Sequence, residues 1–129
     1  MIDPIDVMIK LDAQASELDR LSKDLADVER RLEPVTMAYE DFIGSFEEGL
    51  WNRHVDQGDK LPSEALRLRM AHRAMPTDLL GRYSSLIASR KRMEKRIGSL
   101  KSEISARQSI LSALREEMAA SGSGIRKVA

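Results

Sequence analysis

The chain has 129 residues, 33% of them charged and 4% aromatic, and its formal net charge is zero. This length allows one domain with its own core, and the composition is typical of long helices or coiled coils, which argues against a β-rich fold. The sequence contains no Cys, so disulfides, thiolate zinc sites and cysteine nucleophiles are excluded.

The two parts of the chain carry opposite charge. Residues 1–50 contain 13 acidic and 5 basic side chains, a net −8, and residues 51–129 contain 8 acidic and 16 basic ones, a net +8. Either the two parts pack together, or the second presents a basic surface to nucleic acid. The first interpretation is favoured, because a free basic surface usually gives a positive net charge.

The first predicted element is a long helix from about residue 5 to about residue 48. Asp3 followed by Pro4 is a helix-start pattern, since the carboxylate can accept from free amides and Pro fits the first helical position. Apolar residues then recur at three- and four-residue spacing, with Gln14 as one polar exception among these seam positions. Pro34 removes one backbone hydrogen bond of this helix, but the apolar repeat continues past it in the same phase. A kink is therefore expected, with a break into two helices as the alternative.

A loop is predicted over residues 51–60, which contain Asn52, Gly58 and Asp59. A short helix follows from Ser63 to about Ala74 and ends before Pro76. The third helix is predicted over residues 78–120, with seam positions running from Leu79 to Met118, and residues 121–129 are predicted to form a flexible tail.

The predicted fold is all-α: a single domain, residues 1–120, in which the two long helices form an antiparallel, coiled-coil-like hairpin with the short helix in the connection. Parallel self-pairing would place Arg90 and Arg107 against their own copies. One antiparallel register places Leu18 opposite Arg107 and Leu25 opposite Leu100, but flanking charges do not support it. Because a thin rod of two helices leaves a second face unpaired, we expect the hairpin to associate into a dimer or larger bundle.

Three groups of residues are candidate functional sites. The seam polar residues are Gln14, Arg90 and Arg107; the arginines either pair with a carboxylate such as Glu17 or mark a docking site. The candidate nucleic-acid face is formed by Lys91, Arg92, Lys95, Arg96 and Lys101, a solvated basic surface being the alternative. The candidate partner-binding tip consists of Trp51, Arg53, Arg67, Arg69 and Arg73, where the alternative is that Trp51 closes the core.

The sequence offers no recognisable catalytic site. His54 and His72 match no metal-ligand spacing, and there is no phosphate-binding loop, nucleophile elbow or paired-carboxylate pattern. We therefore expect neither an enzyme nor a metal, cofactor or small-molecule site. The start MIDPID resembles no signal peptide and no stretch is apolar enough for a membrane span, so a soluble, cytoplasmic protein without membrane association is expected.

The pattern of the whole chain resembles small helical proteins of unknown function that tailed phages of actinobacteria encode, often beside replication and recombination genes. The resemblance rests on Tyr39, the Trp51 segment, the run of Pro62, Ser63, Glu64 and Arg67, and the stretch RQSILSALREEM at residues 107–118. It implies a cytoplasmic phage early protein, with no catalytic residues to carry over.

Two functions are consistent with the sequence. The first is a non-enzymatic protein-interaction or assembly module, which binds a protein partner and itself. The alternative is a nucleic-acid-binding accessory of replication or recombination that uses the basic face of the third helix.

Overall fold

The computed structural model describes the backbone of residues 2–128 and the side chains of residues 2–121. Three helices form it: α1 is Pro4–Gln57, α2 is Glu64–Ala74 and α3 is Thr77–Val128. The all-α prediction is confirmed, with α1 and α3 packed against each other and the short α2 between them in the chain.

The helix starts lie where the sequence predicts them. Asp3 Oδ1 accepts a hydrogen bond from the Ile5 amide at 2.9 Å, and Ser63 Oγ accepts from the Leu66 amide at 3.3 Å. Each side chain thereby satisfies an amide that has no partner inside the first helical turn. The predicted start of α2 is confirmed to within one residue, with Ser63 as its N-cap.

The predicted end of α1 and start of the loop are wrong. The helix continues to Gln57, so Trp51 is helical, and α1 also passes through Pro34 without the alternative break. An interior Gly costs only about 1 kcal/mol and Pro about 3 kcal/mol, which packing along a long helix can offset. Gly58, with φ of +72°, follows the last helical residue in the conformation that terminates helices.

α3 is also longer than predicted. It extends beyond Ala120 to Val128, because residues 121–128 contain Gly and Ser but no Pro, and these residues weaken a helix without blocking it. The side chains of residues 122–129 lie outside the described part of the chain, and the flexibility of that segment stays a prediction.

The contacts divide the chain into two compact units. Unit 1 combines the described residues up to Leu25 with those from Arg92 onward, and unit 2 is Ala26–Lys91. Both long helices therefore contribute to both units, a division that the one-domain prediction did not contain.

In unit 1, α1 and α3 are antiparallel. Gln14 bonds to Glu103, whereas Glu17, later in α1, bonds to Arg96, earlier in α3. Val7, Leu100 and Leu111 are its buried apolar side chains among the described residues.

The predicted register is wrong in this unit. It placed Arg107 opposite Leu18, but Arg107 lines a recess together with Val7, three helical turns earlier in α1. Heptad patterns repeat every seven residues, so neighbouring registers match their apolar residues almost equally well. Specific polar contacts, Gln14 with Glu103 among them, accompany the register that forms.

Unit 2 contains the other buried apolar residues of the described chain, and side-chain contacts in this unit link all three helices. Leu32 and Leu50 of α1 are buried, as is Ala71 of α2, and so is Met75, the residue that caps the end of α2. Tyr39 of α1 stacks on Tyr83 of α3, with ring centroids 3.9 Å apart and planes within 7°. The short helix α2 therefore contributes buried residues to the core of unit 2.

The seam positions predicted from the sequence agree closely with the observed burial. All predicted seam residues of α1 are buried or half-buried; they are Gln14 and the apolar residues Val7, Leu11, Leu18, Leu21, Leu25, Val28, Leu32, Val35, Tyr39, Phe42 and Phe46. The seam of α3 follows the same pattern from Leu79 to Leu114, but Met118 is 63% exposed and that assignment is wrong.

Candidate interaction surfaces

Among the side chains that the structure describes, Gln14 is the buried polar one. Its side chain is 8% exposed, and Nε2 donates to Glu103 Oε2 at 2.7 Å. The carboxylate can only accept, which fixes the orientation of the amide group. Gln14 Oε1 is buried without a hydrogen-bond partner, so this contact carries both a charge-assisted bond and the desolvation penalty of one oxygen.

The seam arginines are half-buried, but their predicted carboxylate is used elsewhere. Glu17 binds Arg96, a flanking residue, through two hydrogen bonds of 3.1 and 3.2 Å. Arg107 lines a recess of about 310 Å³ in unit 1 with Asp3 and Asp6. Glu17 is thus the partner of Arg96, and the pairing of Arg90 and Arg107 with a carboxylate across the hairpin stays a prediction.

Arg90 belongs to unit 2. It is half-buried beside the buried side chain of Leu32, where both residues line a small recess with Glu33, Thr36 and Met37. Its aliphatic stem thus lies along the apolar seam, as expected of an arginine at such a position.

The candidate nucleic-acid face is divided between the units. Lys91 is an exposed residue of unit 2, while Arg92, Lys95, Arg96 and Lys101 belong to unit 1. Arg96 is held by Glu17 and lies 3.6 Å from Glu103. The hydrogen bond to Glu17 raises the pKa of the Arg96 guanidinium above its ordinary value. Its charge is balanced by two carboxylates, which leaves Lys95 and Lys101 as the exposed lysines of this group in unit 1.

The candidate tip is only partly a free surface. Arg67 has a side chain that is 19% exposed; it donates to the Pro62 carbonyl at 2.8 Å and lies 3.7 Å from Glu47. The contact with Glu47 joins α2 to α1 within unit 2, so Arg67 contributes to the packing of these helices. Arg69 and Arg73 are exposed, and Arg53 donates to the Gly49 carbonyl at 3.5 Å.

Trp51 does not close the core of unit 2. The indole is 49% exposed, whereas the preceding Leu50 is buried. Trp51 meets the His54 ring edge-on, and His54 Nδ1 lies 2.5 Å from the Asp59 carbonyl oxygen. With Val55, which is exposed one turn further along α1, the indole forms a small apolar surface at the end of that helix.

A larger exposed apolar surface lies at the beginning of α1, and the sequence analysis missed it. Its members, called the N-terminal face below, are Ile2, Ile5, Met8 and Ile9. They recur at three- and four-residue spacing, which places them on one side of the helix, while Val7 is buried on the other. The sequence signal was an apolar repeat out of phase with the seam.

The charges beside the N-terminal face are mainly acidic. Asp12 is exposed and follows Ile9 by three residues, and Asp6 is exposed one position after Ile5. Lys10 and Arg107 belong to the neighbouring recess, which Asp6 also lines. Asp12 makes no ion pair with any residue in the described part of the chain.

An open recess lies between α1 and α3 in unit 2. This Pro34 groove has a volume of about 670 Å³ and is lined by Arg31, Pro34, Val35, Gly81, Arg82, Ser85 and Leu86. Two residues that weaken helices shape it from opposite sides: Pro34 has no amide hydrogen and Gly81 has no side chain. A Cβ built on Gly81 meets no atom within 4 Å, so that position opens into free space.

Two arginines flank this apolar groove. Arg31 is ion-paired with Asp27 at 3.1 Å, whereas Arg82 is exposed and pairs with no carboxylate among the described residues. An occupant with apolar side chains and a carboxylate would match both features of the groove.

A polar contact accompanies the stacked tyrosines of unit 2. The Tyr39 hydroxyl and His72 Nε2 are 2.6 Å apart. Burial, with a smaller contribution from Tyr83, raises the pKa of Tyr39 above 10.0, its ordinary value. The cluster joins α1, α2 and α3, and its contacts are those of a structural core.

Comparisons of the chain with protein-family models, curated proteins and solved structures found no match in any of the three. Among the residues that the structure describes, no helix is long and apolar enough to cross a membrane. Within the same residues, no three His, Asp or Glu side chains are grouped so that they could hold a metal ion.

Proposed function

We propose that the protein is a non-enzymatic interaction module that assembles with protein partners through apolar helix surfaces left open by its own fold. The observation that carries this proposal is the N-terminal face, in which Ile5 is 63% and Ile9 is 61% exposed. Isolated exposed apolar residues are ordinary, but a contiguous group at helical spacing is characteristic of an interaction site.

The balance of burial in unit 1 supports the same conclusion. Its described buried apolar side chains are Val7, Leu100 and Leu111, whereas its exposed large apolar side chains are Ile2, Ile5, Met8, Ile9, Ile110 and Met118. More large apolar side chains are thus exposed than buried. Covering one such side chain contributes about 1.5–3 kcal/mol at full burial, which makes association favourable.

The chemistry of this surface favours a protein partner over a membrane. Amphipathic helices that bind bilayers carry Lys and Arg beside their apolar face, since these attract anionic headgroups. Here Asp3, Asp6 and Asp12 accompany the apolar residues, with Lys10 as the nearby lysine. We include the phage resemblance in the proposal: the module would work in the host cytoplasm as an accessory protein.

The test is the loss of association on removing the apolar face. The double variant Ile5→Gln, Ile9→Gln keeps helix-compatible residues, and Leu66→Gln, Leu68→Gln is the matched control with exposed residues of α2. Both proteins and the parent would be compared by sedimentation velocity over a concentration series and by affinity purification from the native host. We expect the first variant, and not the control, to lose its complexes, by tenfold or more in affinity.

Identical behaviour of the parent and the Ile5, Ile9 variant in both assays would contradict the proposal. Circular dichroism gives the necessary check on folding, because both changes lie at exposed positions and should leave helicity unaltered.

Nucleic-acid binding is retained as the second candidate, because Lys95 and Lys101 remain exposed on α3 while Arg96 is neutralised. Fluorescence anisotropy with single- and double-stranded DNA at two salt concentrations tests it. Binding that weakens steeply with salt and is lost in Lys95→Glu, Lys101→Glu would support this function. Absence of binding at low salt would reject it.

A further inference from the structure

We infer that the Pro34 groove is the docking site for the N-terminal face of a second copy of the chain. This inference rests on the proposed function and names the partner. Three features carry it: the groove is apolar and open, its free charge is positive, and the N-terminal face supplies apolar side chains accompanied by carboxylates.

The groove has room for the side chains that the inserted helix would bring. Its volume of about 670 Å³ lies within the range of about 300–1,000 Å³ found for ligand-binding clefts. Gly81 leaves one wall without a side chain, and a Cβ placed there meets nothing within 4 Å. A helix that packs here can therefore approach α3 closely, as helices do over small residues.

The shape of the groove follows from two local departures from ideal helix chemistry. Pro34 cannot donate to the carbonyl of Arg30, and Gly81 costs about 1 kcal/mol relative to Ala within a helix. Neither residue fills the space between α1 and α3 in unit 2. An external apolar helix would fill this space and bury its apolar lining.

The charges select the occupant. Arg82 forms no ion pair with any described carboxylate. Arg31 and Arg30 both pair with the same carboxylate, that of Asp27. The groove thus attracts an acidic apolar segment, and Asp12 is an exposed carboxylate on the same side of α1 as Ile5 and Ile9. Electrostatic complementarity of this kind sets orientation and excludes basic segments.

The two surfaces are different, so the contact between copies is heterologous. Such contacts either close into a ring or reciprocal pair, or continue into an open chain. A heterologous contact makes a specific prediction: damage to the groove in one molecule and to the N-terminal face in another can be complemented by mixing.

The experiment uses two variants of the full chain. Gly81→Trp fills the groove, and Ile5→Gln, Ile9→Gln removes the N-terminal face; Gly98→Trp is the control, because Gly98 is also in α3 and a Cβ there also meets nothing within 4 Å. Sedimentation velocity would be measured for each protein alone and for equimolar mixtures, with circular dichroism to verify helicity.

We expect the groove variant and the face variant each to lose self-association by tenfold or more, and the Gly98 control to associate like the parent. A mixture of the two impaired variants should form a 1:1 complex, because one retains an intact face and the other an intact groove. Arg82→Glu should weaken association roughly tenfold, and added salt should weaken the parent.

Three outcomes would overturn the inference. If Gly81→Trp associates as strongly as the parent, the groove is not the docking site. Loss of association in the face variant would in that case still support the proposed function. A parent that stays monomeric, with both variants losing the same host protein, would assign the groove to another partner. Failure of the mixture to form a complex would exclude a face-to-groove contact.

Discussion

The buried amide of Gln14 gives the sharpest test of the packing in unit 1. We predict that Gln14→Leu stabilises the protein, although it removes a hydrogen bond. The bond to Glu103 is charge-assisted and contributes about 1.5–3 kcal/mol, but the orphaned Oε1 costs about 1–3 kcal/mol, so the two terms nearly cancel. Glu103 is 47% exposed and can return to water when the amide is removed.

The remaining contribution to the stability change in Gln14→Leu is the burial of the apolar side chain. Gln14 is 8% exposed, so a Leu side chain of similar size would be almost fully removed from water, a gain of about 1.5–3 kcal/mol. Allowing for imperfect fit, the expected increase in the free energy of unfolding is about 1–2 kcal/mol. Gln14→Ala, which loses the bond and leaves a void, should instead destabilise by about 1–2 kcal/mol.

Urea unfolding followed by circular dichroism, at one fixed protein concentration, measures both variants. The midpoint should rise for Leu and fall for Ala, without a change in slope. A decrease of more than 1 kcal/mol for Gln14→Leu would refute the reasoning, because it would mean that the amide oxygen is satisfied in solution and that the polar contact outweighs apolar packing.

Three further predictions concern the cores and the helix start. Tyr39→Phe keeps the stacked ring but loses the contact to His72, and should cost about 1 kcal/mol in urea unfolding. The pKa of Tyr39 is raised in the folded state, so the contribution of this residue to stability is complete below pH 10.0 and is lost at higher pH. The parent should therefore lose stability in alkali more steeply than Tyr39→Phe. Parallel curves of stability against pH would contradict this. Leu100→Ala removes a fully buried side chain and should cost about 2–5 kcal/mol in the same assay, whereas Leu68→Ala, 43% exposed, should cost well under that; equal losses would be inconsistent with the core described for unit 1. Ser63→Ala removes the hydrogen bond to the first turn of α2 and should lower the free energy of unfolding by about 1 kcal/mol, whereas Ser63→Asp should be close to the parent. An unchanged free energy of unfolding for Ser63→Ala would mean that this cap does not stabilise α2.

The candidate site was predicted only in part. The seam polar residues were recognised from their places in the apolar repeat, and Gln14 is indeed buried. The basic group was recognised from its charge and the tip from the combination of Trp51 with cations. Neither signal can reveal that Arg96 is balanced by Glu17 or that Arg67 lies beside Glu47 of α1. Such pairings depend on how the helices pack, and sequence spacing within one helix does not contain that information.

The sequence by itself determined that three helices form and where each begins, because the causes are local. Apolar spacing marks the long helices, Asp3 and Ser63 cap two of them, and Pro76 prevents α2 from continuing. The resulting all-α prediction and nearly all the seam positions agree with the structure.

Only the tertiary structure decided the register and the open surfaces. A heptad repeat fits its partner again after each seven-residue shift, so the pairing of Gln14 with Glu103 could not be read from the spacing. At the beginning of α1, Val7 lies on the predicted seam and Ile5 lies off it, but only the packed helices show that the side bearing Ile5 stays exposed. The groove likewise requires Pro34 and Gly81 to meet across two helices, and that juxtaposition exists only after they pack.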